Sequence, residues 1–456
     1  MLLRNYFAVT ISAVLLFSSI ACTPKESHIE QTSLIHPEWS YNQTIYELNI
    51  RQFSQEGTFR AVEEQLPRLK DLGVGIIWLM PIHPIGELNR KGTLGSYYSV
   101  QDYFATNPEY GTKEDFRSLV NAIHSHGMYV IIDWVANHTA WDNPLTASNP
   151  DFFELDEDGN FVPPRGTDWS DVIQLDFENR AVWDYMTDAL VYWVREFNID
   201  GYRCDVADMV PTEFWSMARQ KLDAVKPVFM LAEAETPKHH IAAFDMSYSW
   251  RMHHLFNDLA NGRESISTLD EYLAEDREMY PKDSFRMQFT SNHDENSWNG
   301  TVFERLGDAA KTFAVLASTM EGMPLLYNGQ EVGLNKRLEF FEKDPIVWEE
   351  NEFTEFYTLL FQLRLNNEAL FNGVRGGELI RIPSDQNQFV YAFSREMNND
   401  KVIVVLNLSD TSRDVNISSE QLIGSFTELF SKEHVIFQNE IEFSMEPWGY
   451  FVFVQD

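Results

Sequence analysis

From about residue 40 to 370, short and nearly continuous apolar runs alternate with longer stretches whose apolar positions recur every three or four residues. That alternation predicts parallel strands joined by crossover helices. The candidate strands cover residues 44–50, 75–80, 129–134, 201–205, 228–233, 245–247, 286–290 and 324–327. Eight such strands with helices between them predict a closed (β/α)8, or TIM, barrel. Two of the helices have readable ends. Thr112 with Asp115 forms a capping box, Phe116, Leu119, Val120 and Ile123 share one face, and Gly127 stops the helix. Asn179 can cap a longer helix whose Val182, Met186, Leu190, Trp193 and Phe197 form a second apolar stripe. Both stripes read as core packing.

The pattern breaks twice. Residues 137–178, between the third strand and the second helix, are rich in Asp, Asn, Pro and Gly. A connection of that length in a closed barrel belongs over the C-terminal mouth. After about residue 373 the helical period disappears. Short alternating runs at 388–394, 401–408, 425–429 and 448–454 predict a C-terminal antiparallel β-sandwich over 373–456.

At the other end, Arg4 precedes an apolar run from Tyr6 to Ile20, too short for a comfortable membrane span. Residues 1–21 therefore read as a signal peptide. Ser19-Ile20-Ala21-Cys22 resembles a lipoprotein processing box with Cys22 as the acylated N-terminus; ordinary cleavage after Ala21 is the alternative. Polar residues from Thr23 to His36 suit a tether, so the expected organisation is signal 1–21, tether 22–39, barrel 40–372 and sandwich 373–456. The expected location is exported, periplasmic or cell-surface, with membrane contact only through a lipid on Cys22. Cys204, the one other cysteine, then has no partner for an internal disulfide.

Composition narrows the function. With 35 Lys+Arg against 70 Asp+Glu, the chain carries a formal charge of −35 and has no basic excess with which to hold nucleic acid. A polyanionic substrate is disfavoured, whereas a neutral one is allowed.

In a parallel barrel, catalytic groups stand at the C-terminal ends of strands. Here strand three ends in Asp133-Trp134, strand four in Arg203-Cys204-Asp205, strand five in Glu233, and strand seven in His293-Asp294. The pleat puts Arg203 and Asp205 on the lumen face and turns Cys204 toward the helices, where it is a buried, inert thiol. Arg203 is expected to pull the Asp205 carboxyl down, as a nucleophile needs. A second carboxyl one βα unit further on, Glu233, would hold its proton in so anionic a place and serve as the acid. Two carboxyls across one bond, one ionised and one protonated, are the equipment of glycoside hydrolysis.

The run DWVANH at 133–138, GYRCD at 201–205, the Glu of LAEAE at 231–235 and NHD at 292–294 resemble the four signature segments of the α-amylase family of glycoside hydrolases, in order. The stretch GSYYSVQDYFATNPEYGT at 95–112 resembles that family's segment before its second barrel helix. The resemblance implies Asp205 as nucleophile, Glu233 as general acid/base and Asp294 as the group that grips ring hydroxyls. It further implies substrate contacts from Tyr98, His138, Arg203 and His293, with Asp133 as support. The implied reaction is retaining hydrolysis of α-1,4-glucosidic bonds in starch, glycogen or maltooligosaccharides. A neopullulanase-like or oligosaccharide-preferring α-glucosidase or transglycosylase is the alternative. A non-catalytic α-glucan-binding protein is the alternative of another class.

The chain departs from the family where calcium is bound. Asp208-Met209 stands where a Lys-His pair is common, and Gln174 stands where an Asp often ligates, leaving Asn137 alone. The expectation is that no cofactor is required and that the usual calcium site is lost or weakened; Asp151, Asp156, Asp158 and Asp168 are the acids that could build another. His124, His126, His239, His240, His253 and His254 read as surface or core histidines. Trp141, Trp169 and Trp298 could stack on a sugar or pack their loops, and Glu235 is a weaker candidate than Glu233 for the acid.

Overall fold

A computed structural model describes residues 34–456. The expected signal peptide, Cys22 and most of the expected tether lie outside the described residues. The apolar runs form eight parallel strands: β1 (Ile45–Leu48), β2 (Ile76–Leu79), β3 (Tyr129–Trp134), β4 (Gly201–Cys204), β5 (Phe229–Ala232), β6 (Met246–Tyr248), β7 (Phe285–Phe289) and β8 (Met323–Tyr327). They close into a barrel in which β1 pairs with both β2 and β8. The first strand is shorter than 44–50, because the chain turns at Asn49 into the short helix Ile50–Phe53.

Strand alternation divides the core in two. Ile45, Ile76, Ile131, Phe229, Met246, Phe285 and Met323 point into the lumen and pack on one another. Tyr46, Ile77, Ile132, Tyr202 and Cys204 point outward, against the helices. Of those helices, α1 (Lys113–Ser125) starts with the Thr112–Asp115 capping box and is followed by Gly127 at φ +68, the left-handed turn a glycine takes most cheaply. Helix α2 (Arg180–Phe197) is capped by Asn179 through the amide of Ala181 and buries the expected stripe.

The barrel floor corrects the expected extent of the tether. His36 is buried, with Nδ1 2.7 Å from Asp245 Oδ1 and its ring stacked on Phe285 at 4.5 Å. Trp39, on the short helix Glu38–Asn42, stacks on Tyr129 at 3.8 Å. An ion pair and two aromatic stacks fasten this segment under the lumen, so residues 36–39 belong to the barrel.

At the opposite end, the insertion runs out and back as a small antiparallel ladder of His138–Ala140 with Val172–Gln174. The C-terminal part is antiparallel throughout: β9 (Ile380–Ile382), β10 (Val390–Met397), β11 (Asp400–Asn407), β12 (Arg413–Ser418), β13 (Gly424–Glu428), β14 (His434–Phe437), β15 (Glu440–Met445) and β16 (Tyr450–Gln455). Six of these strands form one sheet, β12 and β15 form a second, and Ile403, Ile417, Phe426 and Phe453 pack in the core between them. Among the described residues no helix is long and apolar enough to cross a membrane.

Candidate active site

Register carries the acids to one place. Asp133 on β3 lies opposite Arg203 on β4, which lies opposite Leu231 on β5. One step beyond the paired strands, the Asp205 amide donates to the Trp134 carbonyl at 2.9 Å and the Glu233 amide to the Cys204 carbonyl at 3.1 Å. Asp205 and Glu233 thus crown adjacent strands, and the buried guanidinium of Arg203 joins them. Its Nη1 donates to Asp133 Oδ1 and to Asp205 Oδ1, each at 3.0 Å, and its Nη2 lies 2.8 Å from Glu233 Oε2. Cys204 between them is fully buried, and burial pushes its thiol far above the ordinary value.

The next residue is strained. Val206 has φ +37, in a region β-branched residues avoid, and this turn aims its amide at Glu233 Oε2, 2.7 Å away. Such a conformation costs about 1–3 kcal/mol and persists only where the surroundings enforce it.

A second chain of contacts crosses the mouth. The Tyr98 hydroxyl donates to Asp133 Oδ2 at 3.1 Å and lies 2.8 Å from His293 Nε2, while His293 Nδ1 donates to Glu47 and its Nε2 lies 3.3 Å from Asp294 Oδ2. Burial opposes the charged imidazole, but the Asp294 and Glu47 carboxyls outweigh it and lift His293 to about 9. His138 has no such support, and burial holds it down at about 3. Its Nδ1 faces the Asn137 amide donor at 3.2 Å, so the neutral ring carries its proton on Nε2, 3.9 Å from Asp205 Oδ2.

Five carboxyls, Glu47, Asp133, Asp205, Glu233 and Asp294, surround the two cations Arg203 and His293. This corrects the expectation for Asp205. Burial pushes its carboxyl well above the ordinary value, the pull of Arg203 is outweighed, and the charges of Glu233, Asp133 and Asp294 push the same way. Burial also raises Asp133 and Glu47.

Tyr98, His138, Asp205, Glu233, His293 and Asp294 line one cleft of about 480 Å³, and Arg203 lies sealed beneath it. The α-amylase catalytic domain matches residues 31–152 and 167–361, and the maltogenic amylase C-terminal domain matches 380–452. The chain belongs to the α-amylase family of glycoside hydrolases. A noncanonic maltogenic α-amylase from Thermotoga neapolitana is similar over 91% of this chain and 98% of its own, with 32% identity and a TM-score of 0.83. An α-amylase from Lactobacillus plantarum is 29% identical over 91% of this chain and 99% of its own, with a TM-score of 0.81. In sequence alone, an α-amylase of Dictyoglomus thermophilum is 25% identical over 89% of this chain and 75% of its own.

The enzyme's cleft also holds groups that sequence reasoning did not single out. Glu47 interrupts the apolar strand β1, and a charged residue at a lumen-facing position was the signal that could have marked it. Phe340, Phe341 and Lys91 line the cleft from loops with no motif of their own. Trp169 and Trp298 line it too, whereas the Trp141 indole packs its own loop by donating to the Ser170 carbonyl at 3.0 Å. Glu235 turns away from the cleft to Arg286, 3.0 Å distant. The set-aside histidines have structural partners: His124 with Asp200 at 2.7 Å, His239 with Asp208 at 2.9 Å, and His253 stacked on Phe289 at 4.5 Å.

The residues at the family's calcium position do not fit a cation. Gln174 Nε2 donates to Asn137 O and Asn137 Oδ1, each at 2.9 Å, and to Leu175 O at 3.0 Å. Three carbonyl oxygens of the kind a hard cation needs converge instead on an amide NH2. The acids of the insertion serve its turns: Asp156 accepts from the amides of Asp158 and Asn160, and Asp151 from Asn179. Among the described residues no three His, Cys, Asp or Glu gather as metal ligands.

Proposed function

We propose that the enzyme hydrolyses α-1,4-glucosidic bonds in starch, glycogen or maltooligosaccharides with retention of configuration. The observation that carries this reading is the single guanidinium of Arg203 reaching Asp205 and Glu233 at 3.0 and 2.8 Å, which holds two carboxyls side by side in one cleft, as a pair that cleaves a glucosidic bond needs. Asp205 attacks the anomeric carbon as Glu233 gives its proton to the departing glucosidic oxygen. Water then adds its oxygen to the same carbon, returns a proton to Glu233 and frees Asp205. Asp294, the charged His293 and the Nε2–H of His138 hold the ring hydroxyls of the attacked sugar. The reaction so proposed uses no metal, a reading supported by the Gln174 amide donating where a cation would need acceptors.

A preference for short oligosaccharides is the second reading, favoured by the C-terminal likeness to maltogenic amylases. The export and lipid attachment suggested by residues 19–22 belong to the proposal, and mass analysis of the N-terminal peptide tests them: an acyl mass on Cys22 is expected, and an unmodified Cys22 rejects the anchor. For the chemistry, an aryl maltoside is the probe. Glu233→Gln is expected to lower turnover of a poorly activated aglycone by about 10²–10⁴-fold and turnover of an activated one much less. Equal small losses on both would remove Glu233 from the role of acid.

A further inference from the structure

The loops above the barrel are distributed unevenly. On the β7 side, Asn296 and Ser297 bind the carbonyls of Lys336 and Leu338 in the loop after β8, at 3.0 and 2.9 Å. That loop is tied to the one after β2, where the Leu94 amide donates to Phe341 O at 3.0 Å and the Thr93 amide to Glu342 Oε1 at 2.8 Å. The approach is close enough that Gly92, at φ +63, could carry no side chain without meeting Phe341. Arg51, buried beneath, donates to Gly95 O at 3.0 Å, Leu94 O at 3.2 Å and Phe340 O at 3.5 Å, binding both loops at once.

Lys91 completes the arc. Its ammonium reaches across the lip of the cleft to the insertion, 3.1 Å from Asp168 O and 3.2 Å from Asp171 Oδ1. One connected wall therefore runs over β7, β8, β1, β2 and β3. On the other side the connections are low: a helix begins two residues after Tyr248 on β6, and a short one opens three residues after Cys204 on β4. Asp294 follows β7, on the walled side, and shares the cleft with Tyr98 and Phe340, whereas Glu233 follows β5, between the low connections after β4 and β6.

Given the proposed roles, on which this inference rests, the glycosyl group transferred to Asp205 occupies the walled half and the leaving chain departs past Glu233. We propose that the Lys91 clasp to Asp168 and Asp171 is a specificity-determining element. It stops the substrate chain at the wall, so that a short, uniform unit is cut from the non-reducing end of an α-glucan. Without the clasp, the gap between the loop after β2 and the insertion lets a longer chain run through.

The test is the product ladder from amylose at the earliest measurable conversion, a ratio internal to each reaction and independent of its rate. The native enzyme is expected to release one short saccharide almost alone, with little loss of viscosity per reducing end formed. Lys91→Ala and Asp171→Asn are each expected to broaden the ladder to mixed oligosaccharides and to raise that viscosity loss severalfold, while Lys91→Arg keeps the native profile. A mixed ladder from the native enzyme, or an unchanged profile in both Lys91→Ala and Asp171→Asn, overturns the clasp and leaves the proposed hydrolysis standing. Failure of the native enzyme to cleave both amylose and an aryl maltoside removes both readings.

Discussion

The two halves of the barrel lumen are built from the same strands and differ in kind. Toward the floor, Ile45, Ile76, Phe229, Phe285 and Met323 make a wholly apolar core closed beneath by Trp39. Toward the mouth, the same strands bear Glu47, Asp133, Arg203, Asp205 and Glu233, a strained Val206 and more acids than cations. Each large side chain in the floor contributes about 1.5–3 kcal/mol by leaving water. The mouth keeps several carboxyls near one guanidinium against burial and mutual repulsion, an arrangement that the rigidity below it makes tolerable. Stability and chemistry are thus separated along the barrel axis.

Substitutions in the mouth and the floor should part accordingly. Asp205→Asn is expected to reduce kcat/KM for an aryl maltoside by on the order of 10⁴-fold or more, while the melting temperature holds or rises because one buried carboxylate is gone. A lowered Tm with the lost activity would show that the mouth also supports the fold. Phe229→Ala, in the floor, is expected to cost about 3–5 kcal/mol of stability in denaturant titrations, with kcat/KM nearly native well below the unfolding temperature.

A smaller effect sharpens the mouth alone. His293 rises from 6.5 to about 9 in the folded enzyme, so its stabilising contribution is complete below about 6.5 and is lost as pH climbs through about 9. Activity should carry an alkaline limb near that value, and His293→Gln should lose the limb together with part of the activity. Smallest of all, a chelator or added calcium is expected to leave the Tm unshifted. Gln174→Ala, which strips the amide from three carbonyl oxygens, should lower stability by about 1–3 kcal/mol.

Much of this separation was legible in the sequence. The eight apolar runs mark the eight strands, and the pleat of Gly201-Tyr202-Arg203-Cys204 was enough to turn Arg203 inward and Cys204 outward. Local order does not carry long-range balance, however. Arg203 beside Asp205 reads as a neighbour that lowers its carboxyl, yet burial and three further acids from other strands decide the sign. Lys91 and Phe340 carry no local signal of a wall because their contacts join loops far apart in the chain. Nothing local to His36 reveals Asp245 and Phe285 beneath it, so the sequence alone extends the tether too far.

The most direct measurement is to trap the reaction half-way with a slow fluorinated α-glucosyl substrate and to sequence the labelled peptide by mass spectrometry. A single glycosyl mass on Asp205, formed as activity disappears and lost as it returns, is the predicted result. A label on another residue, or full inactivation with no covalent sugar, contradicts the account.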